Sequence, residues 1–228
     1  MTFSLAGRCR ESGQIGYVVA TSSVCVGARV GAIADGVVVF SQARTDPRLH
    51  AVGLSAWRQS PGDAEGALNA MHSAAVAPHW RQLGVFPMDG TPAHHTGASC
   101  LDHCGGVNGP HSMAIGNFLG TAKVLPAMIE SFESATGPLA RRLLTAIRAG
   151  EAAGSEREPL QSASLVVLGA DDLKDVDLRV DFAQAPLAAM VRLLDDWLPK
   201  ASAYRIRALD PDKAPASADV EGRDRPLG

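Results

Sequence analysis

The sequence predicts an α+β fold, a layered sandwich of two buried sheets with helices outside, and three observations carry that expectation. Strand-like and helical segments come in blocks, strands then helices then strands then helix, rather than in the regular alternation of a parallel α/β sheet. The stretch GVVVFSQ, residues 36–42, is a continuous apolar run of the kind found in a strand covered on both faces. Two consecutive helical stretches, one with Leu125, Met128, Ile129 and Phe132 and one with Leu139, Leu143, Leu144 and Ile147, each carry a core-facing stripe.

Each element follows from local chemistry. Thr2 to Cys9 and Gln14 to Ser22 are strand-like and are separated by the turn-forming RESG, which makes them a hairpin. Two further strands are expected over Ala28 to Ala34 and Gly36 to Gln42. A helix follows Pro47, and a second begins near Asp63, whose carboxylate can cap the run holding Leu68, Met71 and Ala75. Residues 81–97 form a hairpin around Asp89-Gly90, a dipeptide suited to the positive φ angles of a tight turn, and the sheet continues through SMAIGNFLG. Pro138 suits the start of the second of the two striped helices. GEAAGSEREP breaks the pattern, QSASLVVLG and VDLRVDF resume strand character, and Leu187, Met190, Val191, Leu194, Trp197 and Leu198 mark a last helix. One domain is therefore expected over residues 1–198. The tail, residues 199–228, is expected to be irregular from about Ala208, because its Asp, Pro, Ala and Arg cannot bury enough apolar surface to offset ordering.

Composition narrows the function classes. The chain has 228 residues, 46% of them hydrophobic, and a formal charge of −3 from 24 acidic and 21 basic side chains spread along its length. No basic stripe is available for a polyanion, so no nucleic-acid partner is expected. No apolar run reaches the roughly 18 residues that cross a bilayer, and no charged and apolar leader pattern opens the chain, so the expectation is a cytoplasmic protein without a membrane partner. Its four cysteines are then expected as thiols. His94, His95, Cys100, His103 and Cys104 offer zinc-ligating atoms, but one Cys-x-x-x-Cys without a second ligand pair is a poor match to a zinc site. Neither a metal nor a cofactor is expected, and the chain has no phosphate-binding loop, no dinucleotide glycine motif, no His-Glu-x-x-His and no Gly-x-Ser-x-Gly.

What remains is Thr2. A threonine hydroxyl is a weak nucleophile at neutral pH, but a free α-amino group on the same residue, with a pKa of roughly 7.7 to 8.0, can take its proton. Release of that amine requires removal of Met1, which is favoured when the second side chain is small. The alternative is that Thr2 is an ordinary first-strand residue.

The fragments TFS, FSQARTDP, RQLGV, TGASCL, GNFLG, PLARRLLTAIRAGEAAG, QSASLVV and DLRVD, in this order from Thr2 to about Leu198, resemble the bacterial family called domain of unknown function 1028. That family is similar to N-terminal nucleophile hydrolases, which implies a four-layer αββα sandwich of two mainly antiparallel sheets with the nucleophile at the start of a strand. Thr2 matches the family's leading threonine, Gln42 the glutamine of its Thr-Gln segment, and Gly116 with Asn117 the end of its Gln-Gly-Asn segment. Ile115 replaces a usual glutamine, Asp46 a usual asparagine, Gly106 a common histidine and Glu158 an arginine; Cys104 is not a family feature.

The resemblance implies an amidohydrolase acting on a small amide or peptide-like substrate, with Thr2, Ser22, Gly116 and Asn117 as catalytic positions and Gln42 and Asp46 as substrate-binding ones. Asn117 beside Gly116 either donates to an oxyanion or turns the chain. Ser22 either steadies the Thr2 amine or ends its strand. Gln42 needs a partner or a ligand for its buried amide. Arg179 and Asp181 alternate along a strand and are expected as an exposed face or an ion pair. A homo-oligomer is expected, and the alternative function is a catalytically inactive binding or assembly protein on the same fold.

Overall fold

The computed structural model describes residues 2–222 and contains two antiparallel sheets and six helices. The strands are β1 (Thr2–Cys9), β2 (Gln14–Thr21), β3 (Gly31–Ala34), β4 (Val37–Ala43), β5 (Arg81–Pro87), β6 (Ala93–Thr96), β7 (Gly105–Asn108), β8 (Ser112–Asn117), β9 (Ser162–Leu168) and β10 (Lys174–Val180). The helices are α1 (Arg48–Gln59), α2 (Ala64–Ala74), α3 (Val124–Ser134), α4 (Leu139–Ala152), α5 (Pro186–Leu209) and α6 (Ser217–Glu221). One sheet has the order β10-β9-β2-β1-β8-β7 and the other β3-β4-β5-β6.

Strand alternation sorts the side chains into three cores, which makes the four layers. On β1 and β2, Phe3, Leu5, Val18 and Ala20 face outward into a core with Met128 and Phe132 of α3, Leu143 and Ile147 of α4, and Met190 of α5. Ala6, Tyr17 and Val19 face inward and meet Val38, Phe40 and Phe86 of the second sheet, together with Met113 and Ile115. The other face of the four-stranded sheet, with Val39, Leu83 and Val85, is covered by Leu49 and Trp57 of α1 and Met71 of α2. The GVVVFSQ run is buried from Val37 to Gln42 because β4 has core on both sides. Asp63 caps α2, its Oδ1 accepting from Gly66 N at 2.7 Å.

One side chain ties the sheets together at the end remote from Thr2. Arg8 is 5% exposed, and its guanidinium donates to the carbonyls of Pro87, Met88 and Gly90 at the β5–β6 turn and of Pro110 at the β7–β8 turn. It also lies 5.2 Å from the Phe86 ring centroid.

Three expected boundaries are corrected, and one unexpected strand is added. Residues 26–28 form a single 3-10 turn, and β3 starts only at Gly31. The four-residue β7, Gly-Gly-Val-Asn, is too short and glycine-rich to show strand alternation, yet it pairs with β8. The last helix does not stop at Leu198: α5 continues through Pro199 to Leu209. The lost backbone hydrogen bond at Pro199 is offset by side chains around it, because Trp197 stacks on Tyr204 at 5.3 Å and donates to Asp175 O, while Arg205 pairs with Asp171 and Asp175. Beyond it a 3-10 turn at Pro211–Lys213 and α6 occupy part of the expected irregular tail. Residues 223–228 and Met1 lie outside the described residues, and the expectations for the tail end and for Met1 removal lie there with them. Among the described residues no helix is long and apolar enough to cross a membrane.

Candidate active site

The apolar filling between the sheets turns polar at the Thr2 end. Because side chains alternate, Thr2 and Ser4 share the inward face of β1 with Ala6, Gln42 continues the inward row of Val38 and Phe40, and Gln82 continues that of Phe86. Asn117 extends the inward row of Met113 and Ile115. These polar ends form one buried network. Ser4 Oγ donates to Gln42 Oε1 at 2.7 Å, and Gln42 Nε2 donates to Gln82 Oε1 at 2.7 Å. Gln82 Oε1 also accepts from Asn117 Nδ2 at 3.0 Å, while Gln82 Nε2 donates to Thr96 Oγ1, Gly105 O and Gly116 O at 2.9, 3.0 and 2.9 Å.

Thr2 stands beside this network, 4% exposed and opposite Asn117 in the β1–β8 ladder. Its hydroxyl donates to Thr21 Oγ1 at 3.5 Å across the β1–β2 hairpin. Ser22 is the next residue, and its N–H donates to Glu156 Oε2 at 3.0 Å. Glu156 is 5% exposed, and its second oxygen, Oε1, is buried with no hydrogen-bond partner. Burial raises the Glu156 pKa above the ordinary carboxylate range, and the Ser22 and Thr21 groups pull against that rise.

Glu156 reaches this position because its loop is zipped onto the segment after β8. Leu119 bridges to Glu156, and Gly120 N–H donates to Ser155 O at 2.9 Å. A Cβ on Gly120 would sit 2.3 Å from Gly154 O, so only glycine allows that approach. Three residues around the site hold left-handed backbone without being glycine: Ala43 (φ 68°) directly after Gln42, Phe118 (φ 58°) directly after Asn117 and Ser155 (φ 54°) directly before Glu156. Each such residue costs about 1–2 kcal/mol, so their grouping here marks a place where the chain is held against its preference.

The sequence-derived residues divide into two groups. Thr2, Ser22, Gly116 and Asn117 are brought together at one end of the sandwich. Gly116 and Asn117 do not turn the chain: both lie within β8, and the left-handed residue is Phe118. Asn117 spends one amide hydrogen on Gln82, leaving the other for a ligand. Gln42 is buried under the site with both ends of its amide satisfied inside the protein. Asp46 engages Arg48 with both oxygens, at 2.9 and 2.8 Å, and that hydrogen-bonded pair holds its carboxyl down at about 2. Arg179 pairs with Asp181 at 2.8 Å on the surface.

Gln82, Glu156, Thr21 and Ser4 were not singled out by sequence reasoning. The only signal was a carboxylate inside the glycine-bearing break GSEREP, whose place beside Thr2 depends on the fold. The histidines and cysteines of residues 94–104 do not converge: His94 fills the space over Gly106, His95 packs edge-on against His72, and all four cysteines are free thiols. Among the described residues no three His, Cys, Asp or Glu side chains are grouped to hold a metal.

A cleft of about 230 Å³ adjoins the site, lined by Asn117, Ala43, Arg44, Trp80, Ser99, Cys100 and Leu101. A larger groove of about 410 Å³ lies elsewhere, between α5, the start of α4 and β9–β10. Its charged groups, Asp175 and Arg205, neutralise each other.

Comparison with known proteins agrees with this architecture. The model of a family of unknown function, DUF1028, matches residues 2–190. Among solved structures, the crystal structure of protein SPO2555 from Silicibacter pomeroyi, described by the same family model, is similar. Its TM-score is 0.79 at 34% sequence identity, over 85% of this chain and 84% of that one. No curated protein matches the chain.

Proposed function

The chain belongs to the family of unknown function DUF1028, and from that premise we propose that it is an amidohydrolase of the N-terminal nucleophile type, acting on a small amide or peptide-like substrate through Thr2. One observation carries the reading. The first residue of a central strand is buried between the sheets, with an amide donor opposite it, a buried carboxylate two groups away and a cleft alongside.

After loss of Met1, the unprotonated Thr2 amine takes the hydroxyl proton as Oγ1 attacks the substrate carbonyl. The free N–H of Asn117 stabilises the oxyanion. The ammonium returns the proton to the leaving amine, and water then cleaves the Thr2 ester by the same route. Glu156 acts as a positioning residue: anchored on the Ser22 N–H, it offers the unpartnered Oε1 to the ammonium that forms during the reaction.

The test is chemical labelling. Protein made without an N-terminal extension should show by intact mass that Met1 is gone, and a β-lactone should acylate Thr2 alone. Labelling should weaken as pH falls through the α-amino pKa, roughly 7.7 to 8.0 in the absence of burial. Thr2→Ser should retain some labelling and Thr2→Ala none. Retained Met1 in the native cell, or undiminished labelling of Thr2→Ala, would refute the reading and leave the fold as a binding or assembly protein.

A further inference from the structure

We propose that the cleft beside Asn117 selects substrates carrying a carboxylate on the acyl portion, and that Arg44 is the residue that recognises it. This deepens the hydrolase reading and rests on it for the word substrate, but the recognition itself is a property of the cleft and can be measured without turnover.

The backbone builds the wall first. The left-handed Ala43 ends β4 and turns the chain so that Arg44 N–H donates to Trp80 O at 3.3 Å. Arg81 fastens the same turn, its Nη1 donating to Arg44 O and its Nε to Val76 O. The Arg44 guanidinium then lies over the Trp80 indole, its Cζ 3.6 Å from the ring centroid. Stacking on the face of an aromatic ring fixes the plane of the cation and leaves its N–H donors free along the rim, the geometry that accepts a carboxylate with two parallel hydrogen bonds.

The charge is not neutralised within the protein. Asp46 is the nearest acidic residue along the chain, and Arg48 takes both its oxygens. Among the described residues neither Arg44 nor Arg81 is in an ion pair. The Arg44 guanidinium therefore stands on the wall of the cleft as the one cation among the described residues that line it. The rest of the lining is different: Leu101 is 53% exposed, beside Ser99 and Cys100. A volume of about 230 Å³ holds roughly seven water-sized groups, which suits a short aliphatic chain ending in an acid. A ligand lying along Trp80 and Leu101 would place its carboxylate on Arg44 and its carbonyl near Asn117.

The experiment uses the full chain carrying Thr2→Ala, so that no acyl transfer can occur, and titrates glutarate and its uncharged analogue glutaramide by calorimetry. Glutarate should bind, with the affinity of glutaramide lower by at least about tenfold, since hydrogen bonds between charged groups account for that ratio. Arg44→Gln should weaken glutarate by a similar factor while leaving glutaramide unchanged, and Arg44→Lys should fall between. Arg44 is exposed, and thermal unfolding of each variant separates lost recognition from lost packing on Trp80. Absence of glutarate binding, equal binding of both compounds, or an Arg44→Gln variant that binds glutarate as before overturns the proposal. Failed β-lactone labelling with Arg44-dependent glutarate binding would instead overturn the hydrolase reading and leave the carboxylate site standing.

Discussion

Replacing Gln82 with methionine, a side chain of similar length and no strong hydrogen-bonding group, removes the centre of the buried network and strands its neighbours. Gln42 Nε2 and Asn117 Nδ2 both donate to Gln82 Oε1, and Gly116 O accepts from Gln82 Nε2; all three residues are closed to solvent or nearly so. A buried polar group left without a partner costs about 1–3 kcal/mol, and three of them near the low end of that range sum to about 3–5 kcal/mol. Thr96 and Gly105 lose a partner too, but both are only half-buried and can turn to water. A domain with about 5–15 kcal/mol of total stability survives such a loss, so the variant should still fold. Urea denaturation should show a lower midpoint with an unchanged slope. Adding Gln42→Met should cost less than it does alone, because the Gln42 amide has already lost its acceptor. A loss below about 1 kcal/mol for Gln82→Met, or strict additivity in the double variant, would refute the view that these amides form one connected unit.

Glu156→Gln separates stability from chemistry. A carboxyl whose pKa is raised by folding binds its proton more tightly in the native state, so its contribution is favourable at low pH and is lost as pH rises from the ordinary carboxylate range through the raised value. The variant should remove that decline, unfolding at higher temperature than the wild type near neutral pH while losing Thr2 labelling; a wild-type stability profile with no fall on the alkaline side of the ordinary range would contradict this. Ala43→Gly relieves a left-handed alanine and should stabilise the protein by up to about 1 kcal/mol, read as a rise in Tm; a fall in Tm would show that the Ala43 methyl contributes more by packing than its backbone costs.

The layer order was legible because it depends on local pattern. A hairpin at RESG, a doubly covered strand at GVVVFSQ, an Asp63 cap and a turn at Asp89-Gly90 all follow from residues within a few positions of each other. The Thr2 corner was half legible. Thr2 and Thr21–Ser22 meet through a single hairpin, and Asn117 came from the resemblance. Gln82 was invisible, since a glutamine at the start of a strand carries no sign of its burial until β4, β5 and β8 are set in register across two sheets. Glu156 was hidden for the same reason, its loop reaching Ser22 only once the segment after β8 is in place. The length of α5 was missed because Pro199 is a stop signal locally, and the contacts that override it lie on other elements.

The Arg8 clasp is one of two fastenings that hold the sheets together. Arg8 sits six residues along β1 from Thr2, about 20 Å at strand rise, and fastens the turns of both sheets together at that end. At the Thr2 end the sheets are joined again, by Ser4 with Gln42 and by Gln82 with Asn117, Gly105 and Gly116. Two plates held at both ends resist rocking about either one, and the apolar filling lies between the two fastenings. A guanidinium with no chemical part in the site would thereby help hold the spacing of the two sheets at Thr2.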